Sequence, residues 1–431
     1  VIHVYIETLG CPRNIVGSEI IAHYLEAKGL KIVDSPQTAD VLIINTCAFI
    51  KDAELESRER IHTLRQTYPH KKIIVTGCLP ERYGCNPFNH TTNIIATSQE
   101  DLNAILNAIL YGDTPPVLSL HQVTRYDYLP RKRLDTYPYA YIEISRGCNR
   151  DCTFCTIPQI KGKLRSKPMN SIIHEATQLI ESGVKEIILV AQDLTSYGED
   201  LYGEPHLLQL VEQLAELPDL YLLRLLYLHP TAVTVELVKL VNDHPKLASY
   251  LHIPIQHVST RILKLMGRQM SRKDIDRLLD TIARYGPSLS LRTDIIAGFP
   301  TETDTEFDDL IEFLLDSPFR HINIFPFSCE PHTLAAELPQ LPKEVIDDRT
   351  SILTEIAREK AATINSRLVG STLEVIIDEP LEVNTFRAHS EYECPEVDTT
   401  IYVEGDTQPG SIEKVKVIAT FDYEINAKLL A

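Results

Sequence analysis

The sequence predicts a multidomain α/β protein with three parts: an open parallel α/β sheet at the N-terminus, a central partial (β/α)6 barrel, and a small antiparallel β-barrel at the C-terminus. Three observations carry this reading. Apolar runs of strand length alternate with helical stretches over the first 111 residues. After a proline-bearing stretch the alternation resumes for six more units, and past a long helix only short strands remain. A chain of 431 residues is long enough for two or three separate cores.

The first part, residues 1–111, contains the runs IHVYIETLG (2–10), VLIINT (41–46), KIIVTG (72–77) and the shorter NIIAT (93–97). Between the first two, SEIIAHYLEAKG (18–29) has apolar residues on one helical face and ends on Gly29, a natural C-cap. Cys11, Cys47 and Cys78 each follow directly on an apolar run. In an open α/β sheet the carboxyl ends of the strands line the binding crevice, so these cysteines can converge on one site. Free cysteine also packs well in cores, and three small buried residues at strand ends would look the same.

Residues 112–138 lack periodicity, carry four prolines and read as a linker, with the RKR run at 131–133 expected on a solvated surface. The barrel, 139–363, is read from YAYIEIS (139–145), KEIILVAQ (185–192), LLRLLYL (222–228), YLHIPIQ (250–256), SLRTDIIAGF (290–299) and HINIFPF (321–327). Helical stretches separate them, among them TETDTEFDDLIEFLLDS, which opens on a capping pattern of Thr301, Thr303 and Glu306. Active sites of such barrels lie where the strands end. A long helical pattern over 343–370 closes this part, and the small β-barrel is placed at 364–431.

Composition narrows the function. The formal net charge of −18 repels polyphosphate backbones and attracts a basic protein partner. The N-terminus lacks a signal-peptide pattern, and no apolar run approaches the roughly 20 residues that span a bilayer. The expected location is therefore the cytoplasm. There, nine cysteines point to metal binding or redox chemistry rather than disulfides.

The segment RGCNRDCTFCTIP (146–158) carries Cys148, Cys152 and Cys155 in the spacing C-x-x-x-C-x-x-C, just after the first barrel strand. A closed zinc site wants four ligands, and disulfides use cysteines in pairs. Iron–sulfur clusters usually take four thiolates; with three, one iron keeps an open position for a substrate or cofactor. The motif resembles that of the radical S-adenosylmethionine superfamily. There the methionine moiety of the cofactor chelates the open iron, and an electron from the cluster cleaves it to a 5′-deoxyadenosyl radical.

LGCPRN (9–14), NTC (45–47) and TGC (76–78) ahead of such a motif resemble the methylthiotransferases of that superfamily. This implies a second cluster on Cys11, Cys47 and Cys78, hence two 4Fe–4S clusters and S-adenosyl-L-methionine. It also implies replacement of a C–H hydrogen by a methylthio group, and a C-terminal barrel of the TRAM type. GCPRNIVGSE, GKLRS (162–166), QDLTSYGEDLYG (192–203), RLLYLHP (224–230), PIQHVSTRILKLMGR (254–268) and CPEVDTTIYV (394–403) look like the RimO branch. That branch modifies the β-carbon of an aspartate in a small-subunit ribosomal protein of the uS12 type. The sister branch modifies isopentenyladenosine in tRNA and usually has Gln-Met-Asn where this chain has Pro12, Arg13 and Asn14.

Charge favours the same branch. Residues 364–431 hold thirteen acidic and five basic side chains, a net of −8, which suits a basic ribosomal protein and argues against direct tRNA binding. The expected partner is that protein, alone or in the assembled subunit, together with an electron donor and a sulfur donor. Strand-end geometry and the resemblance make Gln192, Asp193, Gln256, His257, Arg292 and Gly298 candidates to contact S-adenosylmethionine. Packing or supporting hydrogen bonds are the competing reading for each. His229 reads as structural, and Cys85, Cys329 and Cys394 as spectators. The chain departs from the family pattern at Gly17, usually Asp, at Thr301, usually Gly, and in ECPEVDT (393–399).

Overall fold

The computed structural model describes residues 1–84, 93–112 and 129–430; Cys85 and most of the expected linker lie outside them. The chain divides into two compact units. One comprises Val1–Thr136, Tyr141–Arg150 and Cys155–Glu175, the other Tyr137–Ala140, Asp151–Phe154 and Ala176–Ala431.

The first unit starts as a doubly wound sheet. Its elements are β1 (His3–Thr8), α1 (Pro12–Ala27), β2 (Lys31–Ile32), β3 (Val41–Thr46), α2 (Lys51–Thr67), β4 (Lys72–Gly77), α3 (Cys78–Tyr83), β5 (Ile94–Ala96) and α4 (Leu102–Tyr111). The strands are parallel in the order β2-β1-β3-β4-β5. Every residue of β3 is buried, as a central strand covered on both faces must be. Leu42, Ile44, Ile73 and Val75 pack with Ile61, Leu64 and Leu79 in one core. Val4, Ile43 and Ile74 pack with Ile21, Leu25, Ile105 and Ile109 in the other. The two-residue edge strand β2 is too short to show as an apolar run.

Next come β6 (Tyr139–Glu143), β7 (Ser145–Arg146), α5 (Ile157–Lys161), β8 (Arg165–Ser166), α6 (Met169–Glu181), β9 (Glu186–Val190), α7 (Glu199–Tyr202), α8 (Leu207–Ala215), β10 (Leu222–Leu225), α9 (Val235–Asp243) and β11 (Tyr250–His252). They are followed by α10 (Thr260–Leu265), α11 (Arg272–Tyr285), β12 (Ser290–Ala297), α12 (Asp304–Asp316), β13 (Phe319–Pro326) and α13 (Lys343–Ser366). The strands form two three-stranded sheets, β10-β9-β6 and β11-β12-β13, joined by a parallel bridge between Leu223 and Leu247. All six expected barrel strands are present. Thr303 and Glu306 make the capping box of α12, without Thr301.

The C-terminal barrel is closed by β14 (Thr372–Glu382), β15 (Thr385–Ser390), β16 (Thr400–Glu404), β17 (Ile412–Phe421) and β18 (Glu424–Leu429) in the order β14-β15-β16-β18-β17. Four pairings are antiparallel and one, β16 with β18, is parallel. Its core is Val375, Ile377, Phe386, Ile401, Val403, Val415, Val417 and Ile425, the inward half of each alternating strand.

Segment 389–398 seals the end of the central barrel where the strands begin. Arg224 donates to Glu186 and to the carbonyls of Ser390 and Glu391, while His389 meets both Asp378 and Glu186. Arg292 pairs with Asp398, and Arg320 with Glu393 at 2.6 Å. The unusual ECPEVDT stretch is thus mostly spent on this seam. The RKR run corrects an expectation. Arg131 is buried between Glu19 and Glu175, and Arg133 also reaches Glu19. Those buried carboxylates on α1 and α6 demand cations, so the run is an internal clamp rather than a solvated face.

Candidate active site

The strand order places a topological switch between β1 and β3, because the chain leaves β1 toward β2 and returns to β3 on its other side. Ligands of open α/β sheets bind at such a switch. Cys11 follows β1 as the N-cap of α1, Cys47 follows β3, and Cys78 opens α3 after β4. The loops are pinned by backbone-directed bonds. Asn14 donates to Leu9 O (2.7 Å) and Thr46 O (3.0 Å), and Asn45 to Asn14 O (2.8 Å). Ser57 both receives from Cys47 N and donates to Cys47 O. Gly77 has φ +87, and a Cβ there would lie 2.3 Å from Asn45 Oδ1 and 2.5 Å from Thr46 O. Only glycine lets the Cys78 backbone come that close to the end of β3.

Electrostatics separates the sulfurs. Cys47 donates to Cys78, which holds the Cys47 thiol well above the ordinary cysteine range and the Cys78 thiol well below it. The charges of Lys161 and Arg13 add to the lowering at Cys78. Lys161, the last residue of α5, is buried against Glu81 on α3. Burial pushes the Glu81 carboxyl up to about 7. Burial would lower the Lys161 ammonium, but the charges of Cys78 and Glu81 and the hydrogen bond to Glu81 hold it up.

The second triad sits on one loop. Its base is the β7–β8 pairing of Ser145 with Ser166 and Arg146 with Arg165. Gly147 has φ +77, and a Cβ there would fall 2.2 Å from Lys163 O. Cys148 N donates to Gly162 O (3.2 Å), and Arg150 N points at Cys148 Sγ (3.4 Å). Beyond Cys155, Thr156 Oγ1 donates to Phe49 O (2.8 Å), two residues from Cys47. Ile160 of α5 belongs to the same core as Leu79 and Cys78. Within the first unit, therefore, the flank of the second triad is bonded to the loops of the first.

In the second unit, Cys152 is framed by the turn after α10. Thr153 N donates to Met266 O (3.0 Å) and Thr153 Oγ1 to Leu265 O (2.7 Å). Phe154 meets Phe299 edge-on and joins a core with Ile296, Phe327 and Met266. Arg268 NH1 lies 3.9 Å from Cys152 Sγ.

The proposed cofactor contacts divide. Gln192 follows β9, and its Oε1 is buried with no hydrogen-bond partner. Asp193 caps the turn at 194–196, accepting from Thr195 N (2.9 Å) and Ser196 Oγ (2.9 Å). Gln256, with φ +71, bridges to Ile295. His257 accepts from Ser259 N and faces Glu302, which also takes Gly298 N and Arg349. A Cβ on Gly298 would meet Ile346 at 2.8 Å. Arg292 is placed apart from these. It stands third in β12, where the strand begins, and its guanidinium is committed to Asp398 in the seam. His229 caps a turn through Thr231. Cys394 is buried in the seam and Cys329 is exposed.

Comparison with known proteins decides the family. Residues 3–97 match the model of the uncharacterized protein family UPF0004, 142–314 that of the radical SAM superfamily, and 369–430 that of the TRAM domain. The chain is 36% identical over 446 residues to the ribosomal protein uS12 methylthiotransferase RimO of Syntrophus aciditrophicus, covering 99% of this chain and 98% of that one. Its counterpart in Aquifex aeolicus is 37% identical over 424 residues, covering 97% and 95%.

The chain belongs to the RimO family of radical S-adenosylmethionine methylthiotransferases.

The fold agrees. TsrM from Kitasatospora setae, a radical S-adenosylmethionine methyltransferase, superposes with a TM-score of 0.56 at 14% identity, over 76% of this chain and 74% of that one. OxsB, a cobalamin-dependent radical enzyme, gives 0.52 at 12% identity, over 83% and 56%. At such identity only the fold is shared. Family membership implies S-adenosylmethionine and iron–sulfur chemistry, and the donors fit it: all six cysteines are free thiols. Among the described residues no three His, Cys, Asp or Glu side chains stand close enough to hold a single metal ion. A cluster asks for wider spacing, since each thiolate binds a different iron.

Sequence reasoning missed Lys161, Thr156 and Arg268. The first two follow the second triad within six residues, so proximity in sequence was the available signal. For Arg268 there was none beyond its place in PIQHVSTRILKLMGR. The departure at Gly17 is explained: a Cβ there would overlap Gln99 Nε2 at 1.7 Å, so Gln99 fills the space of the usual side chain.

Proposed function

We propose that the chain methylthiolates the β-carbon of an aspartate in ribosomal protein uS12, with one cluster on Cys148, Cys152 and Cys155 and a second on Cys11, Cys47 and Cys78. The observation that carries this lies in the first unit, where Thr156, next to Cys155, donates to Phe49 O and α5 shares a core with α3, so the flank of the second triad is bonded to the loops that carry Cys47 and Cys78. An electron carrier would fill each cluster with four thiolates, and among the described residues each group is a set of three, Cys11, Cys47 and Cys78 or Cys148, Cys152 and Cys155. Bound there, the two clusters and S-adenosylmethionine supply the radical, the methyl group and the sulfur. The chain's own residues fix geometry and charge. Lys161 and Arg13 favour the thiolate of Cys78, and the bonds of Asn14, Asn45 and Ser57 hold the strand-end loops. Gln192, Asp193, Gln256, His257 and Gly298 are the proposed surroundings of S-adenosylmethionine, with the Gln192 Oε1 as the free acceptor.

The domain limits proposed are 1–111, 139–363 and 364–431, with a linker at 112–138. The proposed partner is basic. Part of the C-terminal acidity is consumed in the seam by Asp378, Glu393 and Asp398, but Glu374, Glu382, Glu404, Asp406 and Glu424 remain exposed. Such exposed acidity attracts a basic ribosomal protein and repels tRNA. No helix of the described residues is long and apolar enough to cross a membrane, and the proposed setting is the cytoplasm.

The test is mass spectrometry after anaerobic reconstitution with iron, sulfide, reductant and S-adenosylmethionine. Unmodified small ribosomal subunits and unmodified isopentenyladenosine tRNA are supplied in parallel. One methylthio group gained on a uS12 aspartate is the expected result; the same gain on tRNA, or on neither, overturns the reading.

A further inference from the structure

We infer that Arg268 is a positioning residue of the C-x-x-x-C-x-x-C loop, whose guanidinium donates to the Cys152 sulfur and so raises the reduction potential of the cluster held there. The inference rests on the reading of Cys148, Cys152 and Cys155 as cluster ligands.

The turn Leu265–Arg268 and the loop are locked together on both sides of Cys152. After it, Thr153 bonds the carbonyls of Met266 and Leu265 through its amide and hydroxyl. Before it, the carbonyl of Asp151 lies where a Cβ of residue 267 would be, at 2.4 Å, and position 267 is a glycine at φ +73. This backbone contact fixes the place of residue 268 relative to Cys152 without help from the arginine itself.

Onto that frame the chain puts a buried cation, 7% exposed. One end of the guanidinium is tied to Pro254 O, NH1 faces Cys152 Sγ at 3.9 Å, and Nε is buried with no acceptor. No carboxylate among the described residues pairs with it. A buried guanidinium with unused donors and no carboxylate is costly unless an anion stands nearby, and the facing group is the sulfur of a cysteine. A thiolate bound to iron carries that negative charge. Hydrogen bonds to the sulfurs and nearby charge set a cluster's potential, and a cation favours the more negative, reduced form. Electron delivery ahead of radical formation is thereby eased.

The experiment uses the full chain carrying Cys11→Ala, Cys47→Ala and Cys78→Ala, reconstituted anaerobically so that only the second triad is loaded. The midpoint potential is measured by potentiometric titration followed by electron paramagnetic resonance, with iron content per chain in parallel. Arg268→Met is expected to load to the parent's iron content and shift the midpoint to more negative potential. Arg268→Lys, which keeps the charge but loses the planar fork, should fall between. Equal iron content with an unchanged midpoint in Arg268→Met overturns the inference. Should Arg268→Met load less iron, Arg268→Lys decides: a negative shift supports the role, and the parent's midpoint overturns it. A parent that binds no iron would instead sink the ligand reading on which the inference rests.

Discussion

The two cysteine triads carry the same inventory and are built by opposite routes. The first is assembled from three strand ends of one sheet, with 35 and 30 residues of chain between its members (Cys11, Cys47, Cys78). Its geometry is the geometry of β1, β3 and β4. The second lies within eight consecutive positions on one loop, and its geometry is imposed by neighbours: the β7–β8 base, the Phe49 carbonyl and the turn at Leu265–Arg268. The difference teaches that a topology-built site is robust but silent in sequence. A spacing-built site is loud in sequence yet needs scaffolding that spacing does not reveal.

The largest effect that can break the comparison is loss of ligands. Cys148→Ala, Cys152→Ala or Cys155→Ala should abolish formation of 5′-deoxyadenosine from S-adenosylmethionine. Cys11→Ala, Cys47→Ala or Cys78→Ala should leave uncoupled formation of that product while eliminating methylthio transfer. Chromatographic assay of both products from correctly folded protein checks this. Equal loss of cleavage from both sets would mean that the triads do not divide the labour.

Next in size are two glycines that test the building routes separately. Gly77→Ala drives a Cβ into Asn45 and Thr46 at positive φ, and Gly147→Ala drives one into Lys163 O. Strain and overpacking together should cost about 3–5 kcal/mol in each case. Gly77→Ala should deplete iron at the first triad and spare the second, and Gly147→Ala the reverse. Iron content in backgrounds lacking one triad or the other reads this directly. If each glycine emptied both triads, the bonds through Thr156 and α5 would be the dominant scaffold.

The same contrast explains what the sequence could disclose. The six barrel strands and the sheet of the first unit were legible because buried parallel strands are continuous apolar runs. Cys148, Cys152 and Cys155 were legible by spacing, and Cys11, Cys47 and Cys78 only by their place after strands together with family resemblance. The place of Arg292 was not legible, because being on the fifth strand does not say at which end, and its partner Asp398 lies 106 residues away. Arg131 misled because a basic run looks solvated until Glu19 and Glu175 are known to be buried beside it.

The seam of the second unit supplies a control of intermediate size. Burial alone would lower the His389 imidazole, but Asp378 and Glu186 outweigh it and push it up to about 9. Burial raises Asp378 itself, so the dependable carboxylate is Glu186, held low by Arg224 and by His389. Because the folded value lies above the ordinary 6.5, the stabilisation is complete below that pH and is lost as pH rises through about 9. It amounts to about 3 kcal/mol at most. Urea unfolding at pH 6.5, 8 and 9.5 should show the decline, and His389→Gln should flatten it. Iron retention at either triad should not follow this titration.

The smallest effect concerns Thr301 in the loop that follows β12. The residues ahead of Cys78 and Cys148 are glycines at positive φ, whereas Thr301, after β12, sits at φ +66 with a branched Cβ. Left-handed backbone costs a β-branched residue about 1 kcal/mol or more. Arg261 offsets part of this by donating to Thr301 Oγ1 (3.1 Å) and Thr301 O (2.7 Å) while also pairing with Glu306. Thr301→Gly removes the strain and keeps the carbonyl and Glu306 contacts, so it should raise stability by about 0.5–1 kcal/mol. The corresponding rise in Tm is the measurement. Thr301→Gly in an Arg261→Ala background should gain more, since the strain there is no longer offset. If Thr301→Gly destabilised the chain in both backgrounds, the threonine side chain would be holding this loop through packing, and the loop would join the triad loops as a region that tolerates only its own residue.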